Sequence, residues 1–94
     1  MPLNQIHRRA AHDFTAVVLQ RAGYFEHFKR PVLHTGGAKA TIFMQQRDPL
    51  RRVPKRLLEG IERLARTSAS KHGVTFGKEI EAAKGRHSIV FRPR

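Results

Sequence analysis

The sequence predicts an α+β fold, a compact two-layer domain in which two helices pack on one face of an antiparallel sheet. Two segments repeat apolar residues every three to four positions, which is typical of amphipathic helices. In the other segments, apolar and polar residues alternate between glycines, which is typical of hairpins. The predicted order is α-β-β-α-β-β. We expect residues 1–94 to form one domain, because domains typically contain roughly 100–200 residues.

The first predicted helix ends at Gly23. Arg21 interrupts its apolar side, and a cation is best placed in a last turn, where it interacts with free carbonyl groups. Residues 24–28 then form a separate turn that packs aromatic side chains on the core before Pro31. The apolar side of the helix consists of Ala10, Ala11, Phe14, Val17, Val18 and Phe25.

The first predicted hairpin joins Val32–His34 to Lys39–Gln45. Gly36 and Gly37 lie between the two strands, and glycine adopts positive φ angles without steric cost. The second strand alternates, so one face of it carries Ala40, Ile42 and Met44.

The second predicted helix begins with Pro54, whose missing N–H is not needed in a first turn. It is expected to run to about Ser68 and to stop before Gly73. Its apolar side consists of Leu57, Leu58, Ile61, Leu64 and Ala65.

Alternation from Val74 to Ala82, followed by the β-branched segment Ser88–Phe91, predicts a second hairpin with its turn at Gly85. A competing interpretation makes Lys78–Lys84 a short helix ending at Gly85, because Glu, Ala and Lys favour helices.

The charge balance predicts a polyanionic partner. Nineteen Lys and Arg against seven Asp and Glu leave a formal net charge of +12. The absence of cysteine excludes disulfides and Cys-ligated zinc. The longest apolar segment, Ala16–Leu19, is far shorter than the roughly 18 residues that a membrane span requires. Without a secretory signal pattern, we expect a cytoplasmic protein with no membrane partner.

Positive charge concentrates at the start of the second predicted helix. The helix dipole disfavours cations there by roughly 0.3–1 kcal/mol per charge, whereas the free N–H groups attract anions. Residues that disfavour stability locally are often retained for function. The cations at this helix start therefore predict a phosphate-binding site. A solvated basic face without a specific partner is the alternative. The predicted nucleic-acid-binding residues are Arg47, Arg51, Arg52, Lys55 and Arg56, flanked by Lys39 and Arg86.

Binding of single strands requires exposed aromatic side chains on which bases stack. The spacing of most phenylalanines assigns them to the core. Phe43, on the second strand, is the phenylalanine whose face the pattern leaves open.

The histidines are scattered, with no carboxylate pattern typical of metal ligands, so we expect no metal and no other cofactor. A metal-independent ribonuclease would use a pair such as His34 and His87 as acid and base. Residues Lys84–Phe91 resemble the glycine-basic-histidine hairpin of HicA-type ribonuclease toxins. The resemblance covers eight of 94 residues and implies a catalytic role for His87. Those toxins continue to a further strand and a closing helix, whereas seven residues follow His87 here.

Three functional hypotheses follow. The leading one is a small regulatory factor that binds DNA or RNA mainly through phosphates. The second is a basic adaptor or inhibitor that docks on an acidic protein surface. The third is a metal-independent ribonuclease of toxin type.

Overall fold

The computed structural model describes residues 5–94, and it confirms the predicted α+β fold and element order. The sheet is antiparallel throughout, with strand order β1-β2-β4-β3. None of the described helices is both long enough and apolar enough to cross a bilayer. The elements are α1 (Ile6–Val18), α2 (Tyr24–His27), β1 (Val32–Gly36), β2 (Lys39–Gln45), α3 (Lys55–His72), β3 (Val74–Glu81) and β4 (Arg86–Pro93).

The pairing of β2 with β4 joins the two hairpins and defines two faces of the sheet. Ala40 lies opposite Phe91, and Met44 lies opposite His87, so these four side chains share one face. Helices α1 and α3 cover that face, which we call the helix face. On the opposite face, which we call the open face, the β2 residues Thr41, Phe43 and Gln45 are partly exposed.

The core lies between the two long helices and the helix face. Phe14 of α1 packs edge-to-face on Phe91 of β4, with ring centroids 5.9 Å apart. The Ser68 hydroxyl on α3 donates a 2.7 Å hydrogen bond to the carbonyl of Ala10, so a buried polar contact ties the helices together.

Helix α1 ends earlier than predicted, at Val18, and turns connect it to α2. Arg21 therefore lies outside the helix, and its guanidinium packs so closely on Gly60 of α3 that a β-carbon at position 60 would clash with it. The predicted aromatic turn is confirmed as α2 and the residue that follows it: Tyr24 stacks on Phe28 with ring centroids 5.2 Å apart, and both rings are buried.

Helix α3 follows Pro54 and continues to His72, one turn beyond the predicted end. Gly73 ends it in the left-handed conformation, with φ of 67°. Lys71 and His72, in the last turn, both contact the carboxylate of Asp13 on α1. These contacts hold the C-terminal end of α3 against α1 and extend the helix past the apolar repeat that predicted it.

The second hairpin is confirmed, and Lys78–Glu81 is strand rather than helix. The part of this segment that is helical is a single 3₁₀ turn, Ala82–Lys84. Cross-strand pairing with β4 overrides the helical propensity of this segment, because every residue of β3 has a partner there.

Gly85 joins the second hairpin to the loop that follows β2. Its φ is 63°, and a β-carbon at this position would lie 3.0 Å from the α-carbon of Pro49. The Gly85 carbonyl accepts a 2.8 Å hydrogen bond from the backbone N–H of Gln46. The close approach and the backbone conformation both require glycine here.

We predict that Gly85→Ala lowers the free energy of unfolding by about 2–4 kcal/mol, because it combines a strained backbone with a backbone clash. Gly37→Ala is the matched control, since Gly37 has φ of 59° but nothing within 4 Å of its built β-carbon. We expect it to lose only about 1–2 kcal/mol. Urea denaturation of both variants measures the difference, and equal losses would contradict the close-approach argument.

Candidate nucleic-acid interface

The loop of residues 46–54, between β2 and α3, carries Arg47, Arg51 and Arg52 of the predicted cationic site. Its fold depends on Gln46, which is only 7% exposed. The Gln46 side-chain Nε2 donates to the carbonyls of Asp48 and Arg51, at 3.2 and 2.9 Å. The Asp48 carboxylate accepts the backbone N–H of Leu50 at 2.9 Å and closes the turn. Gln46 therefore positions the cations, although nothing in its sequence surroundings predicts that role.

The same amide determines the tautomer of His87. Because the Gln46 Nε2 donates to two carbonyls, its Oε1 faces His87 and accepts a 2.7 Å hydrogen bond from the His87 Nε2. The His87 ring also packs edge-to-face on Phe28, with centroids 5.2 Å apart. Burial lowers the pKa of His87 below its ordinary value. The ring is therefore neutral at pH 7, and its Nδ1 is an unprotonated acceptor.

Three of the predicted cations and His87 line one cleft of about 380 Å³. Arg51, Arg52 and Lys55 supply its charge, while exposed Leu50 is the most accessible of its apolar side chains. The remaining lining residues include Leu58 of α3 and Ile80 of β3, so the cleft lies between the first turn of α3 and the second hairpin. We call it the cationic cleft.

The ion pairs near this cleft are exposed and weak. Arg51 contacts Glu26 at 3.2 Å, and Lys55 contacts Glu59 at 3.8 Å. Exposed pairs of this kind typically contribute about 0–1 kcal/mol, so phosphate oxygens can replace the carboxylates at little cost. Within residues 5–94, Arg52 forms no ion pair.

Two other residues of the predicted cluster lie outside the cleft. The Arg47 Nε donates a 2.7 Å hydrogen bond to the carbonyl of Phe25, and its backbone N–H donates to the carbonyl of His27 at 2.8 Å. Arg47 therefore anchors the loop to α2. Arg56 lines a separate hollow of about 460 Å³ together with Arg21.

The predicted flanking cations lie on the open face. Arg86 lies with its guanidinium carbon 5.8 Å from the centroid of the Phe43 ring. Lys39 lines a hollow on the same face, next to His34. The structure thus places three of the predicted cations in the cationic cleft and two on a second basic surface, while Arg47 and Arg56 lie apart from both.

His34 and His87 also lie on opposite faces. His34 pairs with Thr41 and packs on Phe43, on the open face, whereas His87 pairs with Met44 on the helix face. The sheet separates them, so they cannot act together on one phosphate as the acid–base pair that the sequence suggested. No group of three or more His, Asp and Glu side chains in the described part of the chain is arranged to hold a metal ion.

We predict that the stability of the protein falls as pH decreases below about 6.5. Because burial lowers the pKa of His87, the unfolded chain binds more protons at this ring than the folded protein, and protonation favours unfolding. His87→Gln retains a donor for Gln46 but does not titrate, so its free energy of unfolding falls less between about pH 7 and pH 5. Urea denaturation at both pH values tests this.

Part of the pH dependence remains in that variant, because burial also lowers the pKa of His7. An identical loss of stability in wild type and His87→Gln would contradict a neutral, buried His87.

Comparison with known proteins adds no family to this description. No protein-family model matches the chain, and no curated protein matches it. The resemblance of the second hairpin to HicA-type toxins therefore rests on residues Lys84–Phe91 alone.

Proposed function

We propose that the protein binds nucleic acid mainly through phosphates, at the cationic cleft. The observation that supports this most directly is the convergence of Arg51, Arg52 and Lys55 on one cleft at the start of α3. Convergent cations bind a phosphate chain by replacing its counterions, without requiring a particular base sequence.

The first turn of α3 supports the same function. No side chain caps this end of the helix, and no acidic residue lies in its first turn. The free N–H groups and the positive end of the dipole therefore reinforce the field of the cations. A helix optimised for stability alone would carry acidic side chains here.

The overall charge of +12 adds long-range attraction between the protein and a polyanion. We expect the cleft to bind both DNA and RNA, since both present the same phosphates. We propose a small regulatory factor that acts in the cytoplasm.

We predict that Arg51→Glu/Arg52→Glu lowers the affinity for a random-sequence duplex by about tenfold or more at low salt. The slope of log K against log salt should also flatten by about one to two units, because each lost phosphate contact removes about 0.9 from it. Fluorescence anisotropy across a salt series measures both quantities.

Arg9→Glu/Arg63→Glu is the matched control, because it changes net charge equally at exposed positions outside the cleft. We expect it to weaken binding much less. Equal losses in both variants would show that net charge alone attracts the duplex and would contradict a site at the cleft.

A second candidate function, metal-independent ribonuclease activity, is supported by the presence of His87 in the same cleft as Arg51 and Arg52. The unprotonated Nδ1 of His87 would accept the proton of a ribose 2′-hydroxyl while that oxygen attacks the adjacent phosphorus. The arginines would offset the charge that develops on the phosphate, and water would protonate the departing 5′-oxygen. His87 is 9% exposed, so this activity requires the substrate to reach a nearly buried ring.

This activity predicts that purified protein cleaves single-stranded RNA to 2′,3′-cyclic phosphate ends and that His87→Ala abolishes cleavage. Gel analysis of end-labelled RNA measures it. Cleavage that persists in His87→Ala would exclude His87 as the base. Failure of wild type to cleave would reject this function while leaving phosphate binding intact.

A further inference from the structure

The open face of the sheet carries an aromatic and cationic cluster that the core does not require. Phe43 is half-buried on β2, whose core-facing residues are its neighbours Ile42 and Met44. The His34 ring packs against the Phe43 ring in a T-shaped arrangement, with centroids 5.1 Å apart and ring planes at 78°. The guanidinium carbon of Arg86, on β4, lies over the same ring, 5.8 Å from its centroid. We call His34, Phe43 and Arg86 the open-face cluster.

This arrangement holds the Phe43 ring in place. Val32 and Ser88 are its cross-strand partners, so the ring lies in the middle of three paired strands rather than on a loop. Ser88, the partner on β4, is buried. Val32 is 52% exposed and extends the apolar surface toward the edge of the sheet. A ring held on a rigid sheet loses little freedom when a second flat group stacks on it.

Two hollows lie on either side of the cluster and share His34 and Phe43. One, of about 370 Å³, is bordered by Lys29 and Arg30, and the other, of about 340 Å³, is bordered by Lys39. Together they follow β2 over its length of about 20 Å, at about 3.3 Å per residue. The surface is therefore a track with an aromatic centre and cations at both ends.

The chain segment that carries the cations of this track contains no acidic residue, and its backbone is tied to the sheet at Lys29. The backbone N–H of Lys29 donates a 2.8 Å hydrogen bond to the carbonyl of Gln45, which places the segment after α2 beside β2. No Asp or Glu occurs between Glu26 and Asp48. Two acidic side chains of β3 share the open face: Glu79, whose cross-strand partner is Ser88, and Glu81, whose Oε1 lies 3.6 Å from Nη1 of Arg86. Both belong to the strand on the far side of β4 from β2, and neither lines the two hollows. The track is thus complementary to a chain of phosphates.

We propose that the open face binds single-stranded nucleic acid, with an unpaired base stacked on Phe43 and with phosphates held by Lys29, Arg30 and Lys39. The inference rests on the proposed function for its class of ligand and adds a surface that contacts bases. A duplex hides the faces of its bases within its own stack, so an aromatic side chain that binds by stacking selects unpaired strands. Stacking is tolerant of sequence, because every base has an aromatic face.

The test compares two labelled oligonucleotides of about twelve residues, one of uridines and one abasic with the same number of phosphates. Anisotropy titrations give the ratio of their affinities, which isolates base stacking from charge. We expect wild type to prefer the oligouridine, and Phe43→Leu to reduce that preference by about fivefold to a hundredfold. Binding of the abasic oligomer should not change.

Two further variants serve as controls for a loss of the preference that does not come from stacking on Phe43. Phe43→Tyr keeps the ring and should keep the preference, whereas Phe25→Leu removes an exposed phenylalanine of α2 and should have no effect. Circular dichroism and urea denaturation confirm that each variant is folded. An unchanged preference in Phe43→Leu, or a wild type that binds both oligomers equally, overturns the inference.

Different results would contradict the proposed cleft and the proposed open-face site. Arg51→Glu/Arg52→Glu should lower the affinity for both oligonucleotides by the same factor and leave the ratio of the two affinities unchanged. If that variant binds as tightly as wild type while Phe43→Leu still loses the preference, the proposed cleft is wrong and the open-face site stands. If Arg51→Glu/Arg52→Glu loses affinity but Phe43→Leu keeps the preference for oligouridine, the open-face site is wrong and the proposed cleft stands.

Discussion

The antiparallel pairing of β2 with β4 is the constraint on which the rest of the structure depends. It joins two hairpins that are separated in sequence by the whole of α3, and it places Ala40 opposite Phe91 at one end and Gln45 opposite Arg86 at the other. A shift of one residue would exchange the two faces of β4. His87 would then leave Gln46, and Arg86 would lose its position beside Phe43. Both candidate binding surfaces are therefore consequences of one register.

Where this pairing ends, a short buried polar network begins. The amide of Gln46 connects His87 on β4 with the carbonyls that shape the cationic loop. Each of these groups would cost free energy if it were buried without its partner, so the network specifies a single loop conformation. Gly85 contributes by allowing the second hairpin to approach Pro49. The cations at the start of α3 gain nothing from the helix dipole, and the surrounding network keeps them together despite that.

The two basic surfaces differ in what they present to a ligand. The cationic cleft offers Arg51, Arg52 and Lys55 with apolar walls, which suits phosphates. The open face adds a fixed aromatic ring, which suits a base as well. They lie on different sides of the sheet, so a strand that contacted both would pass around an edge of the protein. The same basic composition therefore produces two chemically distinct surfaces.

The order of elements followed from the sequence alone because its signals are local. Apolar spacing defines the helices, and Gly37, Gly73 and Gly85 occur where the chain takes positive φ. The ends of the helices and strands were harder to predict from the sequence. Contacts of Lys71 and His72 with Asp13 lengthen α3, and pairing with β4 keeps Lys78–Glu81 extended. Those contacts join residues far apart in the chain, so no local pattern reports them.

The cluster of cations was also visible in the sequence, but its division between two surfaces was not. Arg86 and His87 are adjacent in the chain and point to opposite faces. The residues from His87 to Phe91 are all buried, so alternation could not say which side of β4 faces the helices. The role of Gln46 was equally hidden, because its partners come from β4 and from the loop. The sequence by itself determined the elements and the charge, through local periodicity and composition. Only the tertiary structure decided which charges share a surface, because strand register is set by pairing between distant segments.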